Sequence, residues 1–206
     1  MPGRLFLTTP LPEIAAFLGA DAAGLAPDPP RHNIAPGQEV LVCPPDRRLT
    51  RMRWGLIPSG RVNARGRPVM ETIVNARSGT VFSKTAFDGV ARALVPADGW
   101  YEWTGQKRRK TPWRISRLDG RPLAFAAITD TWQGPGGIAV AQVAMVTCPP
   151  SGDVANIHDR MGVLLEPEQF EAWLTGDETA AQALMRPYPD GSLTVAEATD
   201  VDWSGA

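Results

Sequence analysis

The sequence predicts one β-rich α+β domain, and three observations carry that reading. Short runs in which apolar and polar residues alternate recur along most of the chain, as in Arg51-Met52-Arg53-Trp54, which gives one basic and one apolar face. Turn signals such as Asp98-Gly99, Asp119-Gly120 and the Gly134 to Gly137 cluster separate those runs. No internal repeat or long linker divides the 206 residues. A single domain of that size buries roughly 70% of its unfolded surface, enough for a substantial core.

In chain order, a short apolar run follows Met1-Pro2-Gly3-Arg4, and a helix is expected from Leu11 to Leu18. Ala26 to Arg31 is a Pro-rich loop and Asn33 to Gly37 a second turn-rich stretch. Val40 to Cys43 and Leu49 to Trp54 read as strands about the Pro44-Pro45-Asp46 turn. Ser59 to Pro68 is a Gly- and Arg-rich loop with Arg61, Arg65 and Arg67, leading into Val74 to Ser78, where Asn75 and Arg77 share a face if the stretch is extended. A short helix is expected over Thr80 to Phe87. Ala91 to Val95 and Trp100 to Trp103 read as strands meeting at Asp98-Gly99, and Lys107 to Lys110 as a solvated hairpin tip. Strands follow at Trp113 to Ser116, Leu123 to Ile128, Ile138 to Thr147 and Gly162 to Leu165. Helices are expected at Glu166 to Leu174, led by Pro167, and at Glu178 to Met185.

The formal net charge of -1 conceals an asymmetry. Residues 1 to 164 hold 20 Lys and Arg against 13 acids, whereas residues 165 to 206 hold one Arg against nine acids. A basic body suits a phosphate-bearing partner, although scattered surface arginines give the same count. No apolar run is long enough to cross a bilayer and the start lacks a signal-peptide pattern, so the expectation is a cytoplasmic protein without membrane contact. Cys43 and Cys148 are far apart, which fits a reducing compartment, and with only His32 and His158 besides, neither a zinc site nor a cofactor is expected.

Glu102 is the residue to explain, because alternation places it on the face of Trp100, with Tyr101 and Trp103 opposite. A carboxyl on an apolar face has a raised pKa and can exchange protons near neutrality. The alternative is a strand-end Glu that reaches water or pairs with an arginine. His158, beside Asp159 and Arg160 in a loop, joins a base, an acid and a phosphate-sized cation. Asn75 with Arg77 suits a phosphate or sugar, or is a capping Asn next to a surface Arg. Cys148 next to Pro149-Pro150 carries no sign of activation as a nucleophile.

Six stretches together resemble the SOS-response-associated peptidase (SRAP) family of abasic-site processing proteins. They are Gly3-Arg4, Asn33-Ile34-Ala35-Pro36, Met52 to Pro58, Asn75-Ala76-Arg77-Ser78, Val95 to Trp103, and Ile157-His158-Asp159-Arg160-Met161, in the family's order from Gly3 to about Leu174. The resemblance implies a single compact domain over residues 1 to 206, with a mainly antiparallel, barrel-like sheet and peripheral helices. It also implies a monomer with a groove for single-stranded DNA that holds an abasic site. It gives Asn75 the task of orienting the terminal residue, Glu102 the management of its proton, and His158 the opening of the deoxyribose ring. Arg77 and Arg160, with Arg4, would hold phosphates, Trp103 would stack on a base, and Pro36 would help wedge the strand.

The family's mature N-terminus is a cysteine whose amine and thiol close a thiazolidine on the abasic aldehyde; here that position is Pro2, exposed once Met1 is removed. The family's acid after Asn-Ala-Arg-Ser is Gly79, and its Pro after His-Asp-Arg-Met is Gly162. Without a thiol no thiazolidine forms, but a secondary amine still condenses with an aldehyde to give an iminium, an electron sink that favours elimination of the 3′ phosphate. Three activities are therefore open: an abasic-site lyase acting through Pro2, a module that binds single-stranded or abasic DNA without covalent chemistry, and a peptidase whose expected nucleophile is absent.

Overall fold

The structure, a computed structural model, describes residues 2–58, 64–65, 71–106 and 109–204. Met1, Arg61, Arg67, Lys107 and Arg108, on which several expectations fall, lie outside the described residues. One sheet has five strands: β1 (Arg4–Leu7), β2 (Arg31–Ile34), β7 (Gly99–Gln106), β8 (Arg109–Arg117) and β13 (Leu193–Glu197), in the antiparallel order β13-β8-β7-β1-β2. The other has eight: β3 (Glu39–Val42), β4 (Thr50–Trp54), β5 (Asn75–Arg77), β6 (Ala91–Ala97), β9 (Leu123–Gln133), β10 (Ala139–Cys148), β11 (Met161–Gly162) and β12 (Leu164–Leu165). Strand β10 is its hub, antiparallel to β9 and β11 and parallel to β4 and β5. Helices α1 (Leu11–Leu18), α2 (Phe170–Leu174) and α3 (Glu178–Leu184) complete the α+β domain. Among the described residues no helix is long and apolar enough to cross a membrane.

The expected barrel-like closure is replaced by two open sheets that share one core. Leu5, Trp100 and Ile115 of the first sheet join Leu94, Phe125, Val143 and Val146 of the second in a single buried cluster, and the Trp100 and Phe125 rings meet edge to face at 5.7 Å. Strands β6 and β7, read from sequence as meeting at a turn, do not pair: β6 runs against β9, while β7 runs between β1 and β8. At Asp98-Gly99 the chain changes sheets. Asp98 makes that change rigid, because its carboxylate accepts from the Thr8 and Thr9 amides at 2.6 and 3.0 Å and from their hydroxyls at 2.7 and 2.6 Å. Position 99 has room for glycine alone, since a Cβ there would lie 2.2 Å from the Ile115 carbonyl and 2.6 Å from the Phe6 ring. From this corner Trp100 and Glu102 turn inward and Tyr101 and Trp103 outward, as alternation predicts.

Other elements differ from expectation for local reasons. The helix expected over Thr80 to Phe87 is a run of turns ending in a 3-10 turn at Thr85–Phe87. The strand expected at Gly162 to Leu165 is two, because the Val163 amide bonds to Val146 in β10 while its carbonyl accepts from Ala126 in β9. The helix from Glu166 starts as a 3-10 turn at Pro167–Gln169, closed by a Glu166/Gln169 capping box, before α2. Strands β2 and β13 fall in stretches read as loop or left unassigned.

Replacing Asp98 by Ala strands four donors that now bond to one carboxylate. The expected loss is about 3 kcal/mol, with Asp98→Asn costing about half as much because one acceptor oxygen is kept. Urea midpoints for the two variants check both values.

Candidate functional site

Pro2 is buried just ahead of β1, and its carbonyl accepts a hydrogen bond from Asn75 Nδ2 at 2.9 Å. Asn75 is held for this by β5, which lies parallel to β10 in the register Asn75 to Met145 and Arg77 to Thr147. On β11, Gly162 stands by the pyrrolidine ring: a Cβ added at 162 would be 3.5 Å from Pro2 Cγ and only 2.4 Å from two carbons of Phe125. Phe125 therefore occupies the volume that a side chain at 162 would take, and the bare backbone of Gly162 leaves it there.

Glu102 is 4% exposed. Burial raises its pKa from the usual 4.5 to about 7; the positive amino terminus and the Trp100 indole pull it back, and the charge of Asp159 pushes it up. The pKa of His158 is lowered, first by burial and next by the positive amino terminus. Glu102 and His158, 56 residues apart, thus both sense the charge at the start of the chain. The Arg160 amide donates to His158 Nδ1 at 3.0 Å, which places the proton of the neutral ring on Nε2. Asp159 Oδ1 also lies 2.8 Å from Nδ1, an ion pair only when the ring is charged. With the ring's pKa lowered and the Asp159 side chain 87% exposed, the neutral ring bonded to the Arg160 amide is the resting arrangement at pH 7.

Arg77 and Arg160 bracket Thr147. Arg77 is exposed and lines an open cleft of about 680 Å³ with Asn75, Thr80, Ser83 and Lys84. Arg160 Nη2 donates to the Thr147 carbonyl and, at 3.1 Å, to its hydroxyl. Pro2, Asn75, Glu102, His158, Arg77 and Arg160 thus gather around β5, β10 and the inner side of β7. The remaining candidates stand elsewhere. Arg4 and Trp103 are on the outer face of the five-stranded sheet, where Arg4 Nη1 bonds to Asn33 Oδ1 at 2.5 Å and Trp103 meets Trp203 edge to face. Pro36 is exposed in the turn after β2. Gly79 is exposed, with nothing within 4 Å of where its Cβ would be. Among the described residues no group of His, Cys, Asp and Glu is arranged to hold a metal.

The model of the SOS response associated peptidase (SRAP) family matches residues 1–201. The chain belongs to the SRAP family. The match runs further into the acidic C-terminal part than the six motifs do. The "Abasic site processing protein YoqW" of Bacillus subtilis (strain 168) is 33% identical over 169 residues, covering 77% of this chain and 74% of that protein. The "Abasic site processing protein YedK" of Escherichia coli (strain K12) is 30% identical over 193 residues, covering 89% and 83%. A crystal structure of a protein from Bacteroides thetaiotaomicron superimposes with a TM-score of 0.82 at 20% identity, covering 96% of this chain and 92% of the other, a likeness of fold.

Several residues that shape the site in this SRAP protein carry no motif. Thr147 braces Arg160, Phe125 fills the space beside Gly162, and Ser83 and Lys84 extend the cleft. Thr147 and Phe125 lie inside apolar strands, where sequence shows burial and nothing more. Trp203 carries no motif either, and its only signal in the sequence is a large aromatic set in an acidic stretch. Both thiols are buried and pushed up to about 11, chiefly by desolvation, so neither is an activated nucleophile.

Burying Glu102 has a stability consequence with a definite sign. Below pH 4.5 the carboxyl is protonated whether the chain is folded or not; between 4.5 and about 7 the folded state holds the proton that the unfolded state releases, so stability falls as pH rises. The full penalty, about 3 kcal/mol, is present above pH 7. Glu102→Gln is expected to raise stability at pH 8 by about 1 to 3 kcal/mol and to change it little at pH 4.5. Urea denaturation at the two pH values measures the difference.

Proposed function

We propose that this protein processes abasic sites in single-stranded DNA through the amine of Pro2, freed when Met1 is removed. The observation that carries the reading is the 2.9 Å hydrogen bond from Asn75 to the Pro2 carbonyl, which ties the residue bearing the amine to a side chain that lines the cleft together with Arg77. Abasic site processing is also what the relatives from Bacillus subtilis and Escherichia coli are named for.

The ring-opened form of an abasic site carries an aldehyde between two phosphates. The amine adds to the aldehyde carbon and water leaves, giving an iminium. Loss of a proton from the neighbouring carbon then sends electrons toward the iminium and expels the 3′ phosphate. Glu102, with its carboxyl near 7, accepts the proton the amine must shed before attack. His158, neutral at pH 7, exchanges the proton that opens the sugar ring. Arg77 and Arg160 hold the flanking phosphates, and the brace on Thr147 keeps Arg160 in place as the strand arrives. With no thiol on Pro2 and with Cys43 and Cys148 buried, neither a thiazolidine nor a cysteine peptidase follows from these residues.

Borohydride reduction in the presence of an abasic single-stranded oligonucleotide tests the reading. The expected product is one covalent adduct whose intact mass equals the chain without Met1 plus the reduced oligonucleotide, with slow strand cleavage in unreduced samples and no heat-stable crosslink. Glu102→Gln is expected to slow trapping by about 100-fold. Retention of Met1, or trapping no faster than after chemical blocking of the terminal amine, shows instead a protein that binds such DNA without reacting.

A further inference from the structure

The outer face of the five-stranded sheet interleaves aromatic rings with guanidinium groups. Arg4, Tyr101 and Arg114 are direct cross-strand neighbours on β1, β7 and β8 and so stand in a row on one face. The Arg114 guanidinium lies 5.7 Å from the centre of the Phe6 ring and 5.9 Å from that of Tyr101. Trp103, the residue after Glu102, continues the row along β7. Rings that offer their faces to bases, set beside cations that meet phosphates, are the makings of a surface for single-stranded nucleic acid.

The end of the chain already sits on that face. Asp200 pairs with Arg114 at 2.9 Å. The Asp202 carbonyl accepts from Asn33 Nδ2 at 2.9 Å, and Asn33 Oδ1 accepts from Arg4 at 2.5 Å. Trp203 packs edge to face on Tyr101 at 4.9 Å and on Trp103 at 5.2 Å. Each contact has a counterpart in a bound strand: a carboxylate stands where a phosphate would meet Arg114, and an indole where a base would meet Trp103. The segment is lightly held. It leaves the sheet after β13, the Ala198 amide still bonding to Pro112, and the Asp200 side chain is 67% exposed, so solvent screens its ion pair. Charge complementarity favours the same exchange, since residues 165 to 206 hold nine acids and one Arg against the basic body.

The family resemblance already gives this face its strand, through Arg4 and Trp103; we propose that residues 199–204 are a built-in competitor for it, displaced when single-stranded DNA docks. The inference rests on the single-stranded DNA binding proposed above but not on the Pro2 chemistry, so an undamaged strand tests it separately. The test measures fluorescence anisotropy of an undamaged oligothymidylate with the full chain, a chain ending at Ala198, and full-length Trp203→Ala. An occupant that holds the face nine-tenths of the time weakens apparent affinity about tenfold, so the shortened chain is expected to bind about tenfold tighter and Trp203→Ala a few-fold tighter. Adding Trp103→Ala to either variant is expected to erase the gain. Unchanged affinity in Trp203→Ala overturns the proposal, and this variant keeps the test decisive if the shortened chain fails to fold. A gain that survives Trp103→Ala also overturns it, by showing that loss of acidic charge alone is responsible. Self-association of the shortened chain by light scattering, without tighter binding of the oligonucleotide, assigns the face to a second copy and likewise overturns it.

Discussion

The four hydrogen bonds that converge on Asp98 are the constraint on which the rest of the arrangement depends. They tie the end of β1 to the corner where the chain passes from one sheet to the other. Strand β1 follows directly from Pro2 and β7 carries Glu102, so one carboxylate sets the relation between the proposed nucleophile and its proton acceptor. The corner also decides which side chains face inward. A slip of one residue at Gly99 would send Glu102 to solvent and Trp103 into the core, and the close approach of Ile115 and Phe6 to Gly99 opposes such a slip.

Much of this was legible in the sequence where a residue's role follows from its nearest neighbours. Alternation along Trp100 to Trp103 gave the faces correctly, and with them the raised pKa of Glu102. The α+β class followed from turn spacing. What stayed hidden depends on pairings between distant strands. Nothing local shows that β6 and β7 belong to different sheets, that β5 lies parallel to β10, or that Thr147 braces an arginine thirteen residues later. Strand β2 was masked by the turn residues around it, and β13 by its place in an acidic stretch. That Arg4 and Trp103 lie on the outer face of the five-stranded sheet was hidden too, because motif order says nothing about which side of a sheet a residue occupies.

Residues 2 and 162 are neighbours in space, a pyrrolidine ring at the one and a bare backbone at the other. Phe125 lies where a side chain at 162 would begin and meets Trp100 edge to face, and Trp100 shares the inner face with Glu102. Packing at the seat of Pro2 is thus continuous with packing behind the carboxylate, and a change of volume at one is transmitted to the other.

Strand β10 gives the site a particular history during synthesis. It is bonded to β4, β5, β9 and β11, and so cannot take its place until strands drawn from residues 50 to 162 have all been made. Until then Asn75 has no fixed position relative to Pro2, and Arg160 has no formed strand on which to brace. A growing chain therefore carries the parts of the site in sequence before the strands that give them their geometry are paired.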